Sequence, residues 1–393
     1  MKIESLEYID HASGWRLEKT DFDRLTLLVG ASGVGKSRIL EAILHLKQIA
    51  GASLPLLSSN GVGWNIRFST SSGRLCEWEG RFEIGNLKTK GSPLGPSIIG
   101  DNFSPSIEFE KLIIDGSLIV NHGQAQILFQ RLSCKKSAIE LFKEQEIIKE
   151  VHNEFSKILF DDSGPKRRTL DFMKSGVNSG ISFDPEEELP TLDAIKNSGE
   201  QTESKLYRTY VNRLPVFEDI KGLFIEVFPY IQDLRVELSK TPSYLYSNMS
   251  PEVESIDSYS LHAQIKETGV PDWIDEERIS SGMLKTLLHI AELYLCPDHS
   301  LILIDEFENS LGVNCIDEMT STMLAPERNL QFILTSHHPY IINNIGPEYW
   351  KIVTRKGSVV TTRDAAALGI GRSKHEAFIQ LINREEYSEG VTA

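Results

Sequence analysis

The pattern of apolar positions in the first 50 residues predicts a strand, a turn and a helix in succession. The run Leu25–Val29 is short, mostly aliphatic and stops at Gly30, which is typical of a buried strand that enters a turn. After the turn, Ile39, Ile43 and Leu46 recur at helical spacing. The chain therefore begins as an α/β protein would.

The next 100 residues change from an alternating to a helical pattern. Apolar and polar residues alternate in Trp64–Phe68 and in Cys76–Glu79, and glycine-rich turns separate such segments, so residues 63–120 are predicted to be rich in strands. From Lys136 to Leu159 the spacing becomes helical, with apolar anchors at Ile139, Phe142, Ile147, Val151 and Phe155.

Composition then divides the chain into three predicted segments. Charged clusters and turn residues between 160 and 205 indicate an exposed insertion. An amphipathic helix is expected at Phe217–Tyr230, and from Ser280 a regular order of helix and strand resumes. We therefore expect an N-terminal half at 1–160 with a β-rich lobe, a mainly helical insertion at 161–264, and a C-terminal half at 265–393.

Composition narrows the class of protein. Of the 393 residues, 41 are Lys or Arg and 56 are Asp or Glu, so the formal net charge is −15. This balance argues against a surface coated for DNA or membrane binding. The four cysteines stand far apart and are expected to be buried thiols. Without a signal-peptide core, or an apolar run near the roughly 20 residues that a membrane helix needs, we expect a cytoplasmic protein with no membrane contact.

The segment Gly30–Ser37 matches the phosphate-binding pattern G-x-x-x-x-G-K-[ST]. Glycines let successive backbone N–H groups turn toward phosphate oxygens, and the following helix presents its positive N-terminal end to the same anion. Lys36 is expected to reach the β- and γ-phosphates, and the Ser37 hydroxyl to ligate Mg²⁺. The predicted nucleotide-binding residues are Gly30, Ser32, Gly33, Val34, Gly35, Lys36, Ser37 and Arg38.

Two aliphatic strands near the C-terminus are each followed by polar residues. Leu301–Ile304 leads into Asp305, expected to hold Mg²⁺ through water, and Glu306, expected to polarise the attacking water. Leu330–Leu334 leads into Thr335–His338. A histidine at the end of a neighbouring strand can hydrogen-bond a γ-phosphate. Motif alignment alone favours His337 over His338 for this role.

A shorter motif precedes the first C-terminal helix. Ser280 and Gly282 stand at its predicted N-terminus, where they would form a second cradle for an anion. Taken alone, a serine at this place is more often only a helix cap. Its position about twenty residues before the Asp305 strand makes the anion cradle the more informative hypothesis.

In their order along the chain, these segments resemble the motifs of ATP-binding-cassette (ABC) ATPases, specifically the soluble SMC/RecF/OLD-like branch. Gly30–Ser37 resembles Walker A, Ile279–Met283 the signature motif, Asp305 and Glu306 Walker B with its catalytic glutamate, Glu308–Gly312 the D-loop, and Thr335–His337 the switch histidine motif. The resemblance implies an α/β P-loop NTPase fold, an ABC-type ATPase head with an N-terminal antiparallel β lobe and a mostly helical insertion. It also implies Lys36, Glu306 and His337 as catalytic residues.

The resemblance further implies a mode of action. ATPases of this branch form head-to-tail dimers that sandwich two Mg–ATP molecules, so Ser280 and Gly282 would contact the ATP held by the other subunit of a homodimer or higher oligomer. The short insertion and the absence of a long heptad run look most like the compact ATPases of bacterial anti-phage systems, such as the PtuA, AriA and retron-associated ATPases. We therefore expect a sensor or scaffold that controls a partner effector, a nuclease or toxin.

An alternative function stays open at this point. A DNA repair ATPase of the RecF type would bind DNA across the dimer and would need a basic groove. The candidate residues for that groove are Lys88, Lys90, Lys135, Lys136, Lys166, Arg167 and Arg168. The net charge of −15 counts against this alternative. An intrinsic nuclease is not expected, because only about fifty residues follow His337, fewer than an OLD-type nuclease domain requires.

Overall fold

The computed structural model has the α/β fold that the sequence predicts, with one large sheet and helices. It describes residues 1–51, 61–83, 90–92, 95–97, 106–122, 136–162, 187–241, 258–308, 320–321, 323, 329–371, 373–388 and 390. The basic cluster Lys166–Arg168 and the D-loop residues Asn309–Gly312 lie outside these ranges.

The strands of the described ranges fall mainly in the first and last thirds of the chain. They are β1 (Lys2–Asp10), β2 (Trp15–Asp21), β3 (Leu25–Val29), β4 (Val62–Ser69), β5 (Leu75–Glu83), β6 (Lys90–Ser92), β7 (Gly95–Ser97), β8 (Ser106–Ile114), β9 (Ser117–His122), β10 (Ile158–Asp162), β11 (Ile231–Thr241), β12 (Ser258–Glu267), β13 (Ile274–Asp275), β14 (Leu301–Asp305), β15 (Gln331–Thr335), β16 (Trp350–Lys356) and β17 (Val359–Asp364).

The α-helices of the same ranges vary from one turn to four turns. They are α1 (Lys36–Ala50), α2 (Ala138–Leu141), α3 (Glu146–Ser156), α4 (Leu192–Asn197), α5 (Thr202–Val211), α6 (Pro215–Val227), α7 (Ser281–Leu295), α8 (Pro339–Asn344), α9 (Lys374–Ile382) and α10 (Glu385–Ser388). The predicted strand Leu25–Val29 coincides with β3, and the helix expected at Phe217–Tyr230 corresponds to α6.

Twelve of the described strands form one sheet, in the order β10-β14-β15-β3-β16-β17-β2-β1-β4-β5-β8-β9. The strands β14, β15, β3 and β16 run parallel to one another, whereas β2, β1, β4, β5, β8 and β9 pair antiparallel. The parallel part thus joins a long antiparallel lobe. The prediction that the strand before His337 lies beside the strand before Asp305 is confirmed by the β14–β15 pairing.

The parallel strands are short and almost wholly buried. All five residues of β3 and of β15 are buried, as are Leu301–Ile304 in β14. Helix α1 packs its apolar face on this part of the sheet, and Ile39, Ile43 and Leu46 are each fully inaccessible to solvent. The apolar spacing read from the sequence therefore corresponds to a real helix–sheet interface, which fixes the loop between β3 and α1.

One predicted element is wrong in its details. The helical pattern of Lys136–Leu159 corresponds to two helices, α2 and α3, and the segment ends as a strand that starts at Ile158. The anchor Ile147 is 41% exposed. The buried face of α3 consists of Ile148, Val151 and Phe155, which share one side of a helix, and Ile147 lies beside that side. Apolar spacing alone did not show that Ile148, rather than Ile147, belongs to the buried face.

The chain forms two compact units. The first comprises Met1–Asp161, Asp298–Phe307 and Met323–Ala393, and the second comprises Asp162–Pro297 and Glu308–Thr322. The second unit contains helices α4 to α7 and a three-stranded antiparallel sheet of β11, β12 and β13. Within it, a buried pair between Arg208 and Glu200 links α5 to the segment that precedes it, with 2.5 Å between Nη2 and Oε1.

Candidate functional site

Three neighbouring parallel strands bring the predicted motifs to one edge of the sheet. β3 ends at the loop Gly30–Gly35, β14 ends at Asp305, and β15 ends at Thr335. Because the three strands are parallel and adjacent, their carboxyl ends meet at the same edge, where open α/β sheets bind ligands. Segments from the two ends of the chain, such as Ser37 and Asp305, therefore share one site.

The loop after β3 has the backbone that its glycines predict. The φ angles of Gly30, Gly33 and Gly35 are 154°, 80° and 105°. A Cβ atom at Gly30 would lie 2.5 Å from the carbonyl oxygen of Val353 on β16. Ser32 and Gly33 are exposed at the tip, whereas Val34 is buried beneath it. The loop is thus anchored by its ends and presents its tip to solvent.

Lys36 lies inside this loop and is 4% exposed. Its Nζ donates hydrogen bonds to the carbonyl oxygens of Gly30 and Ala31, at 2.9 and 2.8 Å. The loop is therefore folded around a cation. An anion that approached the tip would meet both this positive charge and the N-terminal end of the 15-residue helix α1.

Ser37 and Asp305 meet beneath the loop. The hydroxyl of Ser37 donates to Oδ1 of Asp305 at 3.0 Å, so the first turn of α1 is joined to the end of β14. A hydroxyl and a carboxylate are both hard oxygen ligands of the kind that Mg²⁺ prefers. The donor set therefore fits Mg²⁺, and the two residues predicted to hold it are adjacent.

Glu306 follows Asp305 and has an unusual backbone. Its φ is 50°, in the left-handed region that non-glycine residues seldom adopt, and its side chain is exposed. Its backbone N–H donates to the hydroxyl of Thr335 at 2.8 Å. The same hydroxyl donates to Oδ1 of Asp305 at 2.6 Å. These contacts of Thr335 were not predicted from the sequence, although its position at the end of a buried strand was.

The two histidines after β15 have different surroundings. Nδ1 of His338 accepts a hydrogen bond from the backbone N–H of Tyr340 at 3.3 Å and so caps α8. The backbone N–H of His338 donates to the hydroxyl of Ser336, which turns the chain there. His337 is exposed at the end of the strand. His338 therefore caps α8, and the assignment of the phosphate contact to His337 stays a prediction.

The structure places Arg38 against the turn between β1 and β2. Its Nη2 donates to Oδ2 of Asp10 at 3.2 Å and to the Ser13 hydroxyl at 2.9 Å. Its guanidinium lies 4.8 Å from the centre of a Trp15 ring, within the range of a cation–π contact. Arg38 thus joins α1 to the antiparallel lobe at the rim of the loop.

The back of the loop contacts the C-terminal part of the chain, which sequence reasoning missed. The backbone N–H of Arg355 donates to the carbonyl oxygen of Gly390 at 2.7 Å, and its Nη1 reaches the carbonyl oxygen of Gly33 at 3.4 Å. A Cβ at Gly390 would collide with Val34. No local signal marks Gly390, because the contact depends on how distant strands are ordered.

Ser280 and Gly282 belong to the second unit and are described there by themselves. Ser280 is exposed, and its hydroxyl accepts a hydrogen bond from the backbone N–H of Met283 at 3.2 Å, which caps α7. The carbonyl oxygen of Gly282 accepts from the Thr286 hydroxyl at 2.8 Å. The first turn of this 15-residue helix therefore has the exposed serine that an anion cradle requires.

The basic candidates for DNA binding are mostly outside the described residues. This holds for Lys88, Lys135, Lys166, Arg167 and Arg168. Lys136 is described, and its Nζ lies 3.6 Å from Oε1 of Glu140, a carboxylate that Lys143 also contacts. In the part of the chain that the structure describes, no helix is both long enough and apolar enough to cross a membrane.

The C-terminal motifs match a protein family. Residues 243–343 match the family described as "AAA domain, putative AbiEii toxin, Type IV TA system". This segment includes Ser280, Asp305 and His337 but not the Gly30–Ser37 loop. No curated protein sequence matches the chain significantly.

The fold is similar to that of SMC heads. An SMC head bound to the C-winged helix domain of ScpA matches with 15% identity and a TM-score of 0.52, covering 92% of this chain and 97% of that chain. An SMC head with an extended coiled coil, bound to the C-terminal domain of ScpA derived from Pyrococcus furiosus, matches with 15% identity, coverages of 92% and 96%, and a TM-score of 0.43. The SMC head domain from Thermotoga maritima matches with 13% identity, coverages of 93% and 99%, and a TM-score of 0.41. The first of these similarities establishes the predicted P-loop ATPase fold.

Proposed function

We propose that the chain binds Mg–ATP at the Gly30–Ser37 loop and hydrolyses it. The observation that carries this proposal is the 3.0 Å contact between the Ser37 hydroxyl and the Asp305 carboxylate, directly beneath a glycine loop and beside Glu306. Bound there, Mg²⁺ would neutralise charge on the phosphate oxygens. The residues that would hold it are Ser37 and, through water, Asp305.

In this proposal each remaining residue has a separate role. Lys36 would exchange its loop carbonyls for phosphate oxygens, since its Nζ already lies within the loop. Glu306 would accept a proton from the attacking water, because it follows Asp305 directly in the chain and its side chain is exposed. His337 would hydrogen-bond the γ-phosphate from the adjacent strand.

We further propose a head-to-tail dimer in which Ser280 and Gly282 contact the nucleotide held by the second copy. Ser280 is exposed at the start of a long helix, so a phosphate could replace its present interaction with the Met283 N–H. ATP would then favour the closed dimer because it binds that form more tightly than the open one, and hydrolysis would release it.

The proposed role of this switch is to sense a trigger and control a partner effector, a nuclease or toxin, in anti-phage defence. The description of the family matched by residues 243–343 names a toxin–antitoxin system, which favours this role over DNA repair. The net charge of −15, which is doubled in a dimer, also argues against a basic groove that binds DNA.

The test is the solution mass of Glu306→Gln, with and without Mg–ATP, measured by light scattering. Removing the general base should preserve binding and accumulate the ATP-bound state, so the mass should double when ATP is added. Lys36→Met, which cannot bind the phosphates, should keep its mass under the same conditions. A Glu306→Gln variant that binds ATP but never associates would contradict the proposed dimer. It would not contradict the proposal that the chain binds ATP.

A matched pair of cap variants tests the cross-subunit contact. Ser280→Ala and Thr191→Ala each remove an exposed N-cap in the second unit, since Thr191 accepts from the Ala194 N–H at 3.2 Å. Each should lower the free energy of unfolding by about 1 kcal/mol. Only Ser280→Ala, introduced into Glu306→Gln, should reduce ATP-dependent association.

A further inference from the structure

Thr335 contacts three consecutive residues at the end of the neighbouring strand. Its hydroxyl donates to Oδ1 of Asp305 at 2.6 Å and accepts from the Glu306 N–H at 2.8 Å. Its carbonyl oxygen accepts from the N–H of Phe307 at 3.0 Å. The Thr335 side chain is 1% exposed, so these hydrogen bonds are shielded from water.

The directions of these hydrogen bonds are fixed by chemistry. A hydroxyl carries a single proton, and a backbone N–H can only donate. The Thr335 proton must therefore go to the Asp305 carboxylate, and its oxygen must receive the N–H of Glu306. Because Oδ1 of Asp305 also accepts from Ser37, one chain of hydrogen bonds runs from the phosphate-binding loop to the backbone of Glu306.

This chain of hydrogen bonds ends at a strained residue. Glu306 has a φ of 50°, a conformation that a residue with a side chain adopts only when its surroundings impose it. The β14–β15 ladder stops at the pair Ile304 and Leu334, so the regular sheet does not extend to Glu306. In the described structure the contacts from Thr335 to Glu306 N–H and Phe307 N–H continue the pairing through this turn.

We propose that Thr335 is a positioning residue that aims the Glu306 carboxylate and orients the Asp305 carboxylate at the same time. The inference rests on the proposed hydrolysis of ATP. Without the hydroxyl, the Glu306 N–H would lose the contact that holds its backbone in the left-handed conformation, and the direction of its side chain would no longer be fixed. Groups that orient ligands in this way are typically needed for activity even though they touch no substrate.

The test compares Thr335→Val, which keeps the shape but lacks the hydroxyl, with Thr335→Ser, which keeps the hydroxyl. Thr335→Val should reduce kcat by about 10- to 100-fold. Its Kd for a fluorescent ATP analogue in the absence of Mg²⁺ should stay within about threefold, because Thr335 does not touch the loop that binds phosphate. Thr335→Ser should restore most of kcat.

A second readout needs no nucleotide. Amide hydrogen exchange at Glu306 and Phe307 should be faster in Thr335→Val than in the wild type and Thr335→Ser, because the Glu306 N–H loses its acceptor. Thr354→Val is the matched control. It removes another buried hydroxyl, which bonds Thr361 at 2.8 Å on β16 and β17, and it should change neither kcat nor exchange at Glu306.

The outcomes separate this inference from the proposed function. Full kcat in Thr335→Val, or equal losses in Thr335→Val and Thr335→Ser, would overturn the positioning role. A wild-type chain that neither binds nor hydrolyses ATP would overturn the proposed function, and exchange at Glu306 would still test the hydrogen-bond chain on its own.

Discussion

Gly30 lies where the chain leaves β3 and passes against the backbone of β16. A Cβ atom there would be 2.5 Å from the Val353 carbonyl oxygen, and backbone cannot move aside as a flexible side chain can. We expect Gly30→Ala to lower the free energy of unfolding by about 2–4 kcal/mol, from overpacking plus strain at this φ. Urea denaturation would measure the loss, and nucleotide affinity should fall with it.

Gly73 provides the control for the strain alone. It has a φ of 87°, and a Cβ at that position would have no heavy atom within 4 Å. Gly73→Ala should therefore cost only about 1 kcal/mol. Equal losses for Gly30→Ala and Gly73→Ala would show that the approach of Val353 contributes nothing.

At the scale of single residues, the sequence indicated the glycine-rich backbone of the loop but not the distant residues that contact the loop and its neighbouring strands. The glycine pattern and Lys36 are local, because the carbonyl oxygens that Lys36 contacts belong to the loop itself. Ser37 is marked by the same pattern, although its partner Asp305 is distant in sequence. Thr335 and Gly390 act through contacts with residues far away in sequence, so no spacing rule marks them. Their partners become known only when the order of β14, β15, β3 and β16 is known.

At the scale of elements, Glu110 joins β8 to the start of α2. It is 1% exposed and accepts hydrogen bonds from Trp78 Nε1 at 2.9 Å and from the Ala138 N–H at 2.7 Å. Burial raises the pKa of Glu110 to about 7, and the two hydrogen bonds only partly oppose this rise. The folded protein therefore holds a proton that the unfolded chain releases at lower pH.

This difference gives the stability a definite pH dependence. A raised carboxyl pKa means that the folded state binds more protons between about 4.5 and about 7, so Glu110 makes stability fall as pH rises through that range and stay level above it. The full effect corresponds to about 3 kcal/mol. Glu110→Gln lacks this titrating group. The free energy of unfolding of Glu110→Gln minus that of the wild type should therefore rise by up to that amount from pH 5 to pH 8, measured by urea denaturation.

The comparison with Glu110→Gln is needed because a half-buried histidine changes the stability in the opposite direction as pH rises. Burial lowers the pKa of His45, so its contribution to stability increases as pH rises toward the pKa of the unfolded chain and stays level above it. Both proteins carry His45, and its effect cancels in their difference. Parallel stability curves for the two proteins would show that Glu110 has an ordinary pKa.

The elements also show what apolar patterns can predict. The boundaries of β3 and the buried face of α1 were predicted accurately, because burial of a whole strand or of one helix face leaves a clear signature. The break between α2 and α3 was not predicted. It occurs in the short segment Phe142–Gln145, between the end of α2 at Leu141 and the start of α3 at Glu146. The apolar spacing continues across this segment and so gives no sign of the break.

At the scale of the whole first unit, Gln331 connects segments that the sheet itself does not pair. It stands at the start of β15, is 1% exposed, and accepts the Ile3 N–H at 2.7 Å through Oε1. Its Nε2 donates to the carbonyl oxygens of Ile3 and Asp23 at 2.8 and 2.9 Å. β1 lies five positions from β15 in the sheet order, so this side chain links the antiparallel lobe to the parallel strands.

Gln331→Leu should therefore lower the free energy of unfolding of the first unit much more than the small difference in side-chain volume would. Leucine fills a similar volume but leaves the Ile3 N–H without its acceptor and two carbonyl oxygens without their donor. Leaving a buried polar group unpaired costs about 1–3 kcal/mol, so we expect a loss of about 2–4 kcal/mol in urea denaturation. Gln48→Leu makes the same change on an exposed position of α1, where we expect an effect within about 0.5 kcal/mol. If both variants lost the same small amount, the hydrogen bonds of Gln331 would add nothing to the β16-β17-β2 pairing and the apolar packing that also join the two parts of the sheet.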